Sequence, residues 1–143
     1  MRRIPFLVLA VFAVINTVRG CIHAFAPDGG AHSIAGLDLS GDARTVLTLF
    51  SALGFHQLVM AGFQVFVLVF RRDLVIVALA LQTAATALGL INLYFYRTFP
   101  VVVPGQAFNA ALLVVLAVTL GSAWIGSRRR QSSPDAAPTE TVG

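Results

Sequence analysis

The chain has 143 residues, of which 57% are hydrophobic and only 11% are charged, and its mean hydropathy is +0.84. This small number of charges cannot cover the surface of a soluble domain of this length. The composition therefore predicts a protein that lies in a membrane. The net charge is +4 and all ten basic residues are arginines, most of them in short clusters beside apolar runs. That pattern is typical of membrane anchoring and excludes a nucleic-acid partner.

The first predicted element is an apolar run over residues 4–26 that follows Arg2 and Arg3. A charged start, an apolar run and Cys21 also occur in cleaved lipoprotein signals, and that alternative stays open. Arg19 lies two residues before the cysteine and apolarity resumes in "CIHAFA", so we predict an uncleaved span. Because Cys21 is the single cysteine, we expect no internal disulfide and no cysteine-based metal site.

Three further runs reach the roughly 20 apolar residues that a helix needs to cross the hydrocarbon layer. The four runs are separated by an outer loop over residues 27–44 and by the breakers "RRD" and "RTFPVVVPG". The short "RRD" connection predicts that the second and third helices are antiparallel neighbours. The predicted spans are residues 4–26, 45–70, 74–96 and 105–125.

The fold class predicted from this pattern is all-α, an antiparallel four-helix transmembrane bundle over residues 1–126. Residues 127–143 are predicted to form a basic stop and a disordered, polar tail. The arginine clusters fall at the N-terminus, in the second connection and after the fourth span. Since arginine accumulates in cytoplasmic segments, we expect a cell-membrane protein with both termini in the cytoplasm.

Small and amide residues recur at helical spacing within the spans. Gly54, Gln57 and Gln64 share one face of the second helix, and Gln82 shares a face with Gly89 in the third. Small residues let helices approach closely in lipid and amides bond between them, so this pattern predicts a packing seam.

Polar residues concentrate in the predicted outer half of the spans, whereas the inner half is nearly all Leu, Val, Ala and Phe. They do not continue through the membrane, which favours a polar cup open to the outside over a channel. The candidate ligand-binding residues are Asn16, Arg19, His23, His56, Gln57, Asn92 and Asn109.

Arg19 is the most informative candidate, because a charge in the apolar layer is costly and usually has a partner or a wet cavity. No acidic residue lies within a predicted span. Its charge could be met by Asp28, Asp38 or Asp42, by a lipid phosphate or by an anionic ligand, or it could snorkel to the headgroups. His56 would suit a quinone carbonyl or a proton-transfer step, or a hydrogen bond to a neighbouring helix.

Several chemistries are disfavoured by the same sequence. His23 and His56 differ in predicted depth by about 11 Å, so a haem held between two histidines is not expected. Scattered histidines without an intramembrane carboxylate do not predict a metal site. No nucleophile and base arrangement, phosphate loop or dinucleotide motif occurs, so we predict no catalytic residues and no autonomous enzyme.

Four segments together carry a family resemblance: "INTVRGCIHAFAPDG", "IAGLDLSGDAR", "SALGFHQLVMAG" and the "RRD" that closes the second span. In their order and in the arginine and glycine positions, the chain resembles small DoxX-like four-helix integral membrane proteins. The resemblance implies a link to membrane redox and sulfur-stress systems, with Arg19 and the Gly54 region lining the bundle interior. It implies no catalytic residue for this chain.

Two functions are compatible with these features. One is a small accessory or scaffolding subunit, whose partners would be membrane lipids, other membrane subunits or further copies of the chain. The alternative is a protein that binds a lipid or a quinone-like molecule in the outer cup and assists a redox or transport step.

Overall fold

A computed structural model of the chain describes residues 3–96 and 105–131, with side chains described up to residue 125. All regular structure in these residues is helical, in agreement with the predicted fold class. A single 3₁₀ turn over Arg72–Leu74 precedes the third helix and a π-helical segment, Asn92–Tyr96, follows it. The four long helices are α1 Arg3–Phe25, α2 Ala43–Phe70, α3 Val75–Ile91 and α4 Gly105–Gln131.

These helices lie over the four apolar windows of the sequence, and each is long and apolar enough to cross a membrane. The chain is therefore a small multi-pass membrane protein by the length and composition of its helices. α4 continues to Gln131, past the predicted end of the fourth span at residue 125. The "RTFPVVVPG" connection from residue 97 to 104 and the predicted polar tail from residue 132 lie outside the described residues.

The turn between α2 and α3 defines one end of the molecule, which we call the turn end. Arg71 forms a salt bridge of 2.9 Å with Asp73, and the Leu74 amide donates to the Arg71 carbonyl over 2.8 Å. The Arg72 guanidinium lies 5.3 Å from the centre of the Phe6 ring, which places the start of α1 at this end as well. We call the opposite end, where α1 finishes and α2 begins, the loop end.

The apolar core lies towards the turn end, where all four helices meet. Partly buried side chains such as Phe6, Phe63 and Leu112 pack around it. The core therefore joins the first half of α1 and α3 to the last half of α2 and the middle of α4. Its buried members are Leu9, Phe12, Val67, Val75, Ala78, Leu79 and Leu116.

The long helices associate mainly as pairs. α1 packs most extensively against α2, and α3 packs most extensively against α4. α2 and α3 touch much less, although only a short turn separates them in sequence. The prediction that α2 and α3 are antiparallel neighbours is therefore matched by this limited contact and no more.

One detail of the predicted seam also needs correction. A Cβ atom at Gly89 would meet no atom within 4 Å, so this glycine is not in a close helix contact. Leu68, near the end of α2, packs against the apolar core. Gly54 does lie in a close contact, with α1.

Asp28 organises the loop that follows α1. Its carboxylate accepts hydrogen bonds from the Gly30 amide at 2.9 Å and from the Ser33 amide at 2.7 Å. Gly29 and Gly30 both adopt positive φ, which glycine reaches without strain. The hydrogen bonds from Ser33 and Gly30 lower the pKa of Asp28 to about 2.

We expect the order of this loop to depend on pH. The pKa of Asp28 in the folded protein lies below the value of about 3.9 expected in an unfolded chain, so the anion stabilises the loop above pH about 4 and loses that effect as the pH falls towards 2. Hydrogen exchange should show the protection of the Gly30 and Ser33 amides falling over that range. Asp28→Ala should remove it at neutral pH while the matched variant Asp38→Ala retains it. Unchanged protection in Asp28→Ala would contradict this account.

Candidate functional site

Three amide side chains meet in the interior between the apolar core and the loop end. The Asn16 amide nitrogen donates to Gln64 Oε1 over 3.1 Å and to Gln82 Oε1 over 2.8 Å. The Gln64 amide nitrogen donates to the same Gln82 oxygen over 2.7 Å, and the Gln82 nitrogen donates to the Thr86 hydroxyl over 3.1 Å. This amide cluster (Asn16, Gln64, Gln82 and Thr86) ties α1, α2 and α3 together where direct α2 to α3 packing ends.

Arg19 lies one turn of α1 closer to the loop end than Asn16. Its guanidinium donates to Asn109 Oδ1 on α4 over 2.7 Å. By helical rise Arg19 is about 9 Å inside the end of α1, and the side chain is only partly exposed. The neutral amide of Asn109 orients the guanidinium without neutralising its charge.

Gln57 lies at the same level as Arg19 on α2. A Cβ atom placed at Gly20 of α1 would lie 2.8 Å from the Leu58 side chain of α2. Gly20 follows Arg19 and Leu58 follows Gln57, so Arg19 and Gln57 are level. Gln57 Oε1 is buried and accepts no hydrogen bond from any described residue. Arg19, Gln57 and Asn109 thus bring one cation, one buried acceptor and one amide to the interior towards the loop end, and we call them the polar triad.

Comparison of the chain with protein-family models, with curated proteins and with solved structures found no match. The resemblance to DoxX-like proteins therefore stays a prediction, and the site is interpreted from its own geometry.

The remaining candidate residues occupy other positions. His23 Nδ1 lies 2.6 Å from the Gly29 carbonyl oxygen, and the imidazole stacks edge-on against Phe50 with ring centres 5.3 Å apart. It holds the start of the loop against α2. His56 and Asn92 are both exposed on the outer surface of the described helices, on α2 and directly after α3.

The loop carboxylates do not pair with Arg19. Asp28 holds its own loop, Asp38 accepts from the Ser40 amide at 2.9 Å, and Asp42 accepts from the Thr45 amide at the start of α2. Hydrogen bonds from Ser40 lower the pKa of Asp38. Within the described part of the chain, the ion pair recorded is the one between Arg71 and Asp73.

Groups of three or more metal-binding side chains do not occur among the described residues. The donors and acceptors of the polar triad can instead hold a polar or anionic group and orient it, since guanidinium and amide groups do this without forming bonds. A shallow open depression of about 720 Å³ lies elsewhere, along one face of α2 from Arg44 to Phe55. It does not lie between Arg19 and His56, where a cup was expected.

The candidate list omitted three members of the amide cluster, namely Gln64, Gln82 and Thr86. Helical spacing did place each of them on a face with other small or polar residues, but the sequence does not reveal that both glutamines meet Asn16 or that Thr86 accepts from Gln82. A search for amides at similar distances from the Arg71–Asp73 turn would have paired Gln64 with Gln82, since they lie eight and ten residues from its centre at Arg72.

Proposed function

We propose that this chain is an antiparallel four-helix transmembrane bundle of the cell membrane, with both termini in the cytoplasm, that binds an amphipathic lipid-like or quinone-like molecule. The polar head of that molecule would lie at the polar triad and its tail among the helices. Four apolar helices and the arginine clusters at one predicted side support the arrangement. Binding would assist a membrane redox or transport step.

The observation that carries the proposal is that Arg19 lies within a membrane span and bonds to a neutral partner. A cation within a membrane span is retained at a cost and usually marks a site for a ligand, an ion or a proton path. In the described part of the chain its recorded hydrogen-bond partner is Asn109, a neutral side chain. A guanidinium that is held in one orientation but not neutralised is suited to a carbonyl or anionic group.

Gln57 supports the same assignment. A buried polar atom without a partner costs about 1–3 kcal/mol, so proteins seldom keep one unless it serves a purpose. Gln57 Oε1 is such an atom, and it lies level with Arg19. A head group that accepts a hydrogen bond from Arg19 and donates one from a hydroxyl to Gln57 Oε1 would satisfy both side chains.

Replacing Arg19 by glutamine is expected to weaken ligand retention while the fold is kept. Hydrogen bonds to charged groups contribute about 1.5–3 kcal/mol, so the amount of copurifying molecule should fall by about tenfold or more. Glutamine is a good helix former and removes the cost of the charge, so stability should not fall. Mass spectrometry of small molecules extracted from both purified proteins measures the change.

The matched control is Arg44→Gln, which removes an exposed arginine near the loop end and should leave the extract unchanged. An identical or empty extract from the wild type and from Arg19→Gln would rule out ligand binding. The accessory-subunit function would then be the remaining candidate.

The orientation is tested by cysteine labelling in a Cys21→Ser background, because the native cysteine is exposed. A cysteine at Ser33, in the exposed loop, should react with an impermeant maleimide in intact cells, and so should one at Thr98. A cysteine at Ser132 should react only after the cells are broken. Labelling of Ser132 in intact cells with Ser33 protected would reverse the orientation and place the polar triad towards the cytoplasm.

A second candidate function is that of an accessory or scaffolding subunit, and His56 favours it. This titratable side chain is exposed on α2, about 20 Å from the start of the helix. An exposed polar group within a span is suited to a hydrogen bond with a helix of another subunit or of a second copy.

A further inference from the structure

The exposure along one side of α2 changes from one end of the helix to the other. Residues spaced alternately by three and four lie on one side of a helix, and from the loop end this stripe begins with Leu49, Leu53 and His56. Leu49 is 65% exposed and Leu53 is 45% exposed, whereas Val67, on the same stripe near the turn end, is fully buried. His56 is exposed as well. Another helix therefore covers this side of α2 only near the turn end.

The facing side of α3 changes in the same way. Val75 and Ala78 on this stripe belong to the apolar core, and Gln82 bonds to Gln64 on α2. The same stripe continues through Ala85 and Gly89, which are both exposed. A Cβ atom at Gly89 would meet only open space. α2 and α3 are thus in contact up to the amide cluster and separate beyond it, leaving a lateral cleft towards the loop end.

The polar triad lies at the level of this cleft. Arg19 follows Asn16 by three residues and Ala85 follows Gln82 by three, and Asn16 and Gln82 are hydrogen-bonded. Both α1 and α3 run from the turn end towards the loop end, so each is about 4.5 Å further along. A molecule entering between α2 and α3 would meet the amide cluster below it and Arg19 behind it.

We infer that the lateral cleft takes an anionic membrane lipid, which enters from the bilayer between α2 and α3 and places its charged head at Arg19. This inference rests on the proposed function and narrows its ligand class. The exposed side chain of Leu53 lies on one wall of the cleft, and the small residues Ala85 and Gly89 lie on the other. These walls leave apolar room for an acyl chain.

The positive charge of Arg19 favours a ligand with an anionic head group. The acidic side chains of the loop are engaged with their own backbone or with Ser40 and Thr45, so they do not supply the counter-charge. The two non-bridging oxygens of a phosphate diester can accept from a guanidinium in a bidentate manner, whereas a quinone carbonyl offers one neutral oxygen. Arg19 therefore favours the diester.

The test titrates the delipidated full-length protein in detergent with three probes, followed by native mass spectrometry. The probes are palmitoyl-oleoyl phosphatidylglycerol, the phosphatidylcholine of the same chains, and decylubiquinone. We expect phosphatidylglycerol to bind at least about tenfold more tightly than the other two. Arg19→Gln should abolish that preference, Arg19→Lys should keep part of it, and Arg44→Gln should leave it unchanged.

Lateral entry is tested with two glycine variants. Gly89→Leu places a bulky side chain in the cleft and should weaken phosphatidylglycerol binding by about tenfold or more, whereas Gly62→Leu adds the same bulk to another open position and should have no effect. Equal effects of these two variants would overturn entry between α2 and α3.

The remaining outcomes distinguish a failure of the anionic-lipid inference from a failure of the proposed ligand binding. Equal binding of the two phospholipids would overturn the anionic head. Tight decylubiquinone binding that depends on Arg19, with weak phosphatidylglycerol binding, would also overturn it but would support the proposed function. Failure of all three probes to bind would overturn both.

Discussion

Gly54→Leu is expected to separate α1 from α2 and to lower the stability of the bundle strongly. A Cβ atom at Gly54 would lie 2.5 Å from the Ala24 amide nitrogen, 2.8 Å from the Gly20 carbonyl oxygen and 2.9 Å from the His23 carbonyl carbon. All three are backbone atoms of α1, so no side chain can turn aside and the helices themselves must move. Since α1 packs most extensively against α2, moving them disrupts the main interface of the protein.

The magnitude follows from the size of the added group. Overpacking a tight interface costs about 1–3 kcal/mol and sometimes more, so we expect that range for Gly54→Ala and a cost above about 3 kcal/mol for Gly54→Leu. The midpoint of thermal or denaturant unfolding in detergent measures both variants.

Gly62→Ala and Gly89→Ala are the matched controls, because a Cβ atom meets nothing within 4 Å at either position. Alanine is the better helix former by about 0.5–1 kcal/mol, so these two variants should be neutral or more stable than the wild type. A loss at Gly54 no greater than at Gly62 would show that the helices do not approach each other at Gly20 and Gly54 as described.

Gln82→Leu is expected to lower the stability of the bundle as well. Gln82 Oε1 accepts from both Asn16 and Gln64, and its nitrogen donates to Thr86. Leucine would leave two amide donors without this acceptor in a buried site. Interhelical hydrogen bonds in membranes contribute about 0.6 kcal/mol each on average, so losing three of them should cost about 2 kcal/mol.

Gln57→Leu provides the comparison, because the buried Gln57 oxygen accepts no hydrogen bond from the described residues. In delipidated protein this substitution should be neutral or stabilising, since it removes a polar atom that lacks a partner. Replacing Asn16, Gln64 and Gln82 together by leucine should cost less than the sum of the three single changes, because no orphaned amide remains. Equal losses for Gln82→Leu and Gln57→Leu would argue against the amide cluster.

The helical fold was predictable because the number of apolar runs and their length are properties of the sequence alone. About 20 apolar residues between Gly, Pro and Arg breakers specify a spanning helix whatever its neighbours are. The face shared by Gly54 and Gln64 was predictable for the same reason, since helical periodicity fixes which residues point the same way.

The pairing of helices was not predictable, because periodicity says which residues share a face and not which helix that face meets. Gly54 and Gly89 lie in similar local sequences. A Cβ atom at Gly54 would meet the backbone of α1, whereas one at Gly89 would meet open space. For the same reason the bond between Arg19 and Asn109, residues 90 positions apart, could not be read from the chain. Loop carboxylates near Arg19 in sequence seemed better partners, but each is engaged by nearby amides.

The three-residue turn over Arg72–Leu74 would be the hinge of a lever if α3 moved relative to α2. It fixes the separation of α2 and α3 where they join, and the helical stretch from Arg72 to Tyr96 then extends 25 residues away from it, or about 37 Å. A rotation of about 5° at the hinge would shift the far end of that lever by roughly 3 Å, about the radius of an acyl chain. A small change at this turn would therefore alter the spacing of α2 and α3 most at the opposite end of the molecule.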